Sequence, residues 1–411
     1  MTPAKSINDF LTDTAIALLA LCISAGALLL ARAAEAQSQL PIVIGLDAAM
    51  SGEIGQSGEA IRRGAQIAIQ EINQSGGVLG RKLKLSIKDH RGIPARGVDN
   101  IHAFAEHQNL VAILGGLHTP VALAELKAIH EHKLIYLGPW AAGTPIVDNG
   151  FEPNFVFRVS ARDQFAGGYL IDKALERGFR KPGLLLWRTG WGRSNRKAMV
   201  AAMSKKSMQP AGIQWFNTSQ KSVTREINAL LDAGADVIML VANAPEGLTV
   251  IRDMAARPAN KRVPIISHWG ITGANIVKKD PKAFHNVELT FLQTYSFYQP
   301  PFPRKAEKFK KAYCANFGVC GSNAKIVSPV GSAHAYDLVH ILKLAIQKAG
   351  TTDRGKVRSA LERLGRYEGL VRTYDPPFTT SRHDALDRSD FRLCRYDKRG
   401  AIVPMAEPAT Q

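Results

Sequence analysis

The sequence predicts an α/β protein of two domains, each a parallel sheet with helices on both faces. Three observations carry this. The chain has 411 residues, too many for one compact domain. Short apolar runs alternate with helical patterns, and they do so in two successive series. No stretch rich in Gly, Ser or Pro separates the series, which suggests that the chain crosses between the domains more than once. A composition of 45% hydrophobic and 21% charged residues, with 35 Gly and 21 Pro, supplies large cores and excludes disorder and collagen.

In the first series, Ile42 to Asp47 (IVIGLD) reads as a buried strand. The turn-rich AAMSGEIGQSG then opens a helix with Ile61, Ala65, Ala68, Ile69 and Ile72 on one face, ended at Asn73 to Gly77. KLKLSIK (Lys82 to Lys88) alternates strictly. VAILGG (Val111 to Gly116) and LIYLG (Leu134 to Gly138) are buried strands, with a helix over Val121 to His132 between them. The second series follows FVFRVSARDQ, with strands at LLLW (Leu184 to Trp187), IQWFN (Ile213 to Asn217), DVIMLV (Asp236 to Val241) and PIIS (Pro264 to Ser267). Val223, Ile227, Leu230 and Leu231 mark one of its helices by their spacing. Beyond about residue 290 come helices over Arg304 to Ala315, Ser332 to Ala349 and Lys356 to Leu364, then the strand-like FRLCRYD.

Between Asp13 and Arg32 lie 18 uncharged residues, followed by the small-residue patterns Ala31-Arg32-Ala33 and Ala34-Glu35-Ala36. Residues 1–36 therefore read as a secretory signal, with an uncleaved membrane anchor as the alternative. Either exports the rest. Bulky Leu21 before Cys22 speaks against a lipid anchor there. Cys314 and Cys320, in YCANFGVC, are placed to close a small disulfide loop in an oxidising compartment, and Cys394 is left over. A metal site is the alternative for these thiols, but no C-x-x-C pair supports it.

Lys and Arg total 53 against 35 Asp and Glu, a net charge of +18. The charge is spread without a run of five basic residues, a zinc-finger spacing or an aromatic-interleaved basic strand, so a solvated basic surface is expected and nucleic acid is not. Catalysis is not indicated either. SGEIGQSGEA lacks both G-x-G-x-x-G and the phosphate-loop Lys, and the scattered histidines lack H-E-x-x-H and G-x-S-x-G contexts. No cofactor is implied.

The stretch from AAMSGEIGQSGEAIRRGAQIAIQEINQSGGVLGRKLKLSIKD onward resembles the opening of the periplasmic leucine/isoleucine/valine-binding proteins, type I solute-binding components of ABC importers. The likeness continues through ILGGLHT, YLGPWAAGTP, WGRSNRKAM, ADVIMLVANAPEG and FRLCRYDKRG. It implies two Rossmann-like lobes joined by a three-crossover hinge, the first from 37–159 plus 290–367 and the second from 160–289 plus 368–411. It further implies a monomeric, non-enzymatic periplasmic protein that traps a small-molecule solute by hinge closure and passes it to an inner-membrane ABC permease. A ligand-sensing receptor module of the same fold, signalling through a partner protein, is the alternative. Open parallel sheets bind ligands outside the carboxyl ends of their strands, which agrees.

On this alignment the ligand-carboxylate position of the family falls on Thr119, with Leu117 and His118 beside it. Thr119 also suits a helix N-cap. The small residue followed by a hydroxyl, after the fourth strand, becomes Ala141 and Ala142. The Tyr-Gly pair becomes Trp191-Gly192, the aromatic contact of the second lobe falls on Asn243 or Ala244, and the acid that pairs an α-ammonium becomes Trp269. Ser57 stands where the family has an aromatic. Losing the acid and the hydroxyl points away from an ordinary α-amino acid and toward a carboxylate or planar ligand. Trp140, Trp191 and Trp269 all follow strand ends, where they either stack on such a ligand or pack the lobes together. Arg188, Arg193 and Arg196 near Trp191 are placed either to favour an anion or to face solvent.

Overall fold

A computed structural model describes residues 40–406 apart from residue 327. The expected signal or anchor, with Cys22, lies outside the described residues. Within them no helix is long and apolar enough to cross a membrane.

The first sheet contains β1 (Ile42–Ala48), β2 (Leu83–Asp89), β3 (Leu110–Leu114), β4 (Ile135–Gly138) and β5 (Val156–Arg158), in the order β2-β1-β3-β4-β5. All its pairings are parallel. Strands β1, β3 and β4 are buried along their whole length, as continuous apolar runs in a doubly covered sheet should be. Strand β2 is an edge and is covered mainly at its start: Leu83 is buried, whereas Ile87 on the same face is exposed.

The second sheet contains β6 (Pro182–Trp187), β7 (Gly212–Phe216), β8 (Val237–Val241), β9 (Ile265–Ser267) and β10 (Leu289–Gln293), all parallel. After the two-residue hairpin strands β11 (Tyr367–Glu368) and β12 (Thr373–Tyr374), the chain returns to it through β13 (Arg392–Tyr396) and β14 (Ile402–Pro404). These last two pair antiparallel on its edge, giving the order β14-β13-β10-β9-β8-β6-β7. The architecture is α/β, two lobes with mostly parallel sheets.

Three crossovers join the lobes. The first runs from β5 into the helix Asp163–Glu176. The second leaves β10 for the helices Pro303–Phe317 and Pro329–Ala349, which return to the first lobe. The third runs from a strip beside β5, where Arg158 bridges Asp384 in parallel, to β13. The sheets therefore place two lobe boundaries later than 290 and 368: β10 belongs to the second sheet, and residues 383–385 to the first. The sequence reading did not identify β10 as a strand.

The helix Gly55–Gln74 buries Ile61, Ala65, Ala68, Ile69 and Ile72, as its periodicity predicts. It crosses Pro329–Ala349 so closely that a Cβ at Gly64 would stand 2.0 Å from the Ser332 carbonyl oxygen. Cys314 and Cys320 are bonded, closing a loop at the end of Pro303–Phe317 where Gly318 is left-handed. Burial in β13 pushes the Cys394 thiol up to about 12, which makes it inert.

Candidate ligand-binding cleft

The carboxyl ends of β3 and β4 in the first lobe face those of β6, β8 and β9 in the second, and the connecting turns meet between them. Ser57, Leu117, His118, Thr119, Ala141, Ala142, Trp191, Asn243 and Trp269, the residues expected to meet a ligand, are all buried. The lobes touch. Trp140, after β4, meets Trp269, after β9, edge to face with ring centroids 6.4 Å apart. The Asn275 amide donates to Gln56 Oε1 at 3.0 Å, and the Thr144 amide to Ser194 Oγ at 3.2 Å, both across the boundary.

From Trp140 the aromatic contacts continue through the second lobe. Trp269 lies 5.9 Å from His268, which lies 5.1 Å from Trp191. His334, on the Pro329–Ala349 helix, packs 5.9 Å from Trp269. Its Nδ1 donates to the Pro139 carbonyl at 2.7 Å while its Nε2 accepts from Thr294 Oγ1 at 2.9 Å, which ties the β4 loop to the second crossover. Burial pushes the imidazoles of His334 and His118 down to about 4, so both are neutral at pH 7. At Gly270 a Cβ would fall 2.5 Å from both Asn243 Oδ1 and the Trp191 ring, so the backbone itself walls the cleft there.

Asp163 was not among the residues singled out from sequence. It opens the helix after the first crossover and is fully buried. Its Oδ1 accepts the Trp191 Nε1–H at 3.1 Å. His268 Nε2 lies 3.1 Å from the same oxygen without forming a hydrogen bond to it. Oδ2 has no partner among the described residues. Trp140 Nε1, His118 Nδ1 and Asn195 Oδ1 are likewise buried and unpartnered. Unpaired polar atoms are costly in an interior. The signal in the sequence was an acid immediately after a strand-end crossover, in VSARDQ, which reads equally as a helix-dipole charge.

The predicted residues differ in what they offer. Thr119 does not cap its helix; His118 occupies that position without a side-chain cap bond. The Thr119 hydroxyl instead accepts from the Gly143 amide at 3.2 Å, which leaves its hydrogen to donate. With the Thr119 amide it forms a donor corner; Pro120 carries no N–H, and the Val121 and Ala122 amides both donate to the His118 carbonyl at 3.1 Å. The Ser57 hydroxyl is consumed by its own turn, donating to the Ile54 carbonyl at 2.7 Å. Arg188, Arg193 and Arg196 are exposed, and Arg188 donates to Asn217 Oδ1 at 3.1 Å, away from the cleft. Beneath the Thr119 corner, burial holds the carboxyl of Glu125 well above the usual range and that of Asp47 at about 6. Among the described residues no group of three or more His, Cys, Asp or Glu side chains is placed to hold a metal.

Two parallel-sheet lobes, three crossovers and strand-end loops converging between them define a type I periplasmic binding protein. The chain belongs to the periplasmic binding protein family, whose model matches residues 41–401. A Leu/Ile/Val-binding protein homologue of Brucella melitensis is 24% identical over 371 residues, covering 88% of this chain and 93% of its own. A periplasmic binding protein of type 1 from Bordetella pertussis superposes with a TM-score of 0.79 at 23% identity, covering 89% of this chain and 99% of that one. An ABC-transporter solute-binding protein of R. palustris, solved in complex with benzoate, superposes with a TM-score of 0.74 at 18% identity, covering 89% and 95%.

Proposed function

We propose that this protein is the exported solute-binding component of an ABC importer of the branched-chain-amino-acid type. It closes on a small organic carboxylate with a flat apolar body and delivers it to an inner-membrane permease, without catalysis. The observation that carries the ligand class is the continuous aromatic contact Trp140–Trp269–His268–Trp191 across the lobe boundary. Such walls hold a planar body by offset and edge contacts. The Thr119 corner supplies donors for the carboxylate. Asp163 Oδ2 supplies one acceptor for a hydroxyl or N–H at another point on the ligand.

The benzoate in the R. palustris protein supports this choice, whereas the name of the Brucella relative supports branched-chain amino acids. Trp269 stands where the amino-acid binders are expected to carry their acid, and Ala142 lacks the second hydroxyl. Isothermal calorimetry with benzoate, 4-hydroxybenzoate, leucine and isoleucine separates the two. We expect the aromatic acids to bind at least tenfold more tightly, about 1.4 kcal/mol, with a smaller radius of gyration on saturation. Tighter binding of leucine would overturn the ligand class, and saturation without compaction would overturn hinge closure.

A further inference from the structure

We infer that Asp384, in the last crossover, is a positioning residue for the ligand loop that follows β4. Four consecutive carbonyls of that loop, Trp140 to Gly143, are all held by the first crossover. Ser160 Oγ donates to the Trp140 carbonyl at 2.7 Å, and the Asp163 amide to that of Ala142 at 2.9 Å. Arg158 Nη1 takes the remaining two, donating to Ala141 at 3.2 Å and to Gly143 at 2.9 Å. One guanidinium nitrogen thus sets the peptide before Ala142 and the peptide after Gly143.

Arg158 is itself fully buried, and its orientation comes from far along the chain. Its Nε donates to Asp384 Oδ1 at 2.6 Å, and the backbone locks the register: the Arg158 amide donates to the His383 carbonyl and the Ala385 amide to that of Arg158, each at 2.8 Å. Asp384, nearly buried, also accepts from Arg162 Nη1 at 3.1 Å through its other oxygen. A guanidinium forked between a carboxylate and two carbonyls has a single rotamer that satisfies all three. The Gly143 amide then donates to Thr119 Oγ1, so the chain Asp384–Arg158–Gly143–Thr119 ends at the donor corner of the cleft. Hinge geometry at the third crossover and ligand-head geometry are therefore one connected arrangement.

Only the role of Thr119 rests on the proposed function; the connection is measured on the ligand-free full-length protein, so the two fail separately. Hydrogen–deuterium exchange read by mass spectrometry compares peptides over 139–147 and 116–121 with control peptides in β1 and β8. In Asp384→Asn we expect the loop peptides to exchange about tenfold faster and the controls to stay within about twofold. Arg162→Gln, which removes a largely buried partner and leaves Arg158 paired, should show the same pattern at about two- to threefold and carries the test if Asp384→Asn does not fold. Asp387→Asn, at an ion pair with Arg372 outside this chain of contacts, should change neither set. A uniform rise across all peptides would mean that Asp384 contributes only global stability, and unchanged loop exchange would mean that it positions nothing; either result overturns the inference.

Discussion

Trp140 and Trp269 come from opposite lobes, and their rings meet edge to face at 74°, both buried from solvent. A contact of this kind is worth about 0.5–1.5 kcal/mol beyond the area it buries. It therefore biases the ligand-free protein toward the closed arrangement.

Trp269→Ala removes that bias. Small-angle scattering of the ligand-free variant should give a larger radius of gyration than the parent, with far-ultraviolet circular dichroism unchanged. Equal radii would show that the other interlobe contacts suffice. Trp269→Glu is the sharper change for binding. It sets an unpaired carboxylate against an apolar wall, so affinity for benzoate should fall by about 5- to 150-fold, a cost of about 1–3 kcal/mol; benzoate binding at parental strength would place the aromatic body elsewhere.

Trp191→Phe takes the indole donor from Asp163 Oδ1 and leaves a fully buried carboxylate without that hydrogen bond. The expected loss is about 1–3 kcal/mol in urea unfolding. Because the damage lies in the stranded carboxylate, it should shrink by about half or more when Asp163→Asn is already present. Additive losses in this double-mutant cycle would show that the two residues do not act together.

The Asp47–Glu125 pair sets a pH dependence whose sign follows from burial. Both carboxyls are raised in the folded protein, Asp47 from 3.8 to about 6, so the stability they carry is complete below pH 4 and is lost as pH rises through about 6. Glu125→Gln removes one partner of the pair without changing its shape. Relative to the parent, the variant should gain on the order of 2 kcal/mol between pH 4.5 and pH 7.5, read from urea midpoints at each pH. A difference between the two proteins that stays constant with pH would refute the assignment.

Reduction of Cys314–Cys320 releases a short loop. With a separation of six residues, the chain-entropy model assigns about 2 kcal/mol to the crosslink. The paired Ala variant should lose about that much stability and keep its affinity for ligand, since the loop lies on the Pro303–Phe317 helix away from the cleft. A changed affinity would implicate this loop in closure.

Much of the fold was legible because burial and periodicity coincide. The continuous apolar runs of β1, β3 and β8 have no polar face to confuse, and the Gly55–Gln74 helix shows its buried stripe openly. Strand β10 was missed because LTFLQ runs straight into TYSFYQP, so no turn marks its end. In the cleft, the strand-end tryptophans and Thr119 were visible as residues, but their use was not: whether Thr119 capped a helix or faced a ligand depended on Gly143, 24 positions away. Asp163 resembled an ordinary helix-start acid. The Arg158–Asp384 pair spans 226 positions, a distance over which a single sequence carries no pairing signal.

The third crossover also sets an order on synthesis. A nascent chain ending at residue 290 already holds all five strands of the first sheet, yet it lacks the Pro329–Ala349 helix that covers Gly55–Gln74 and the 383–385 strip that flanks β5. The lobe encoded first is thus completed late, after most of the second sheet exists. Contacts of such long sequence separation close slowly, so the first lobe can be completed only when nearly the whole chain has been made.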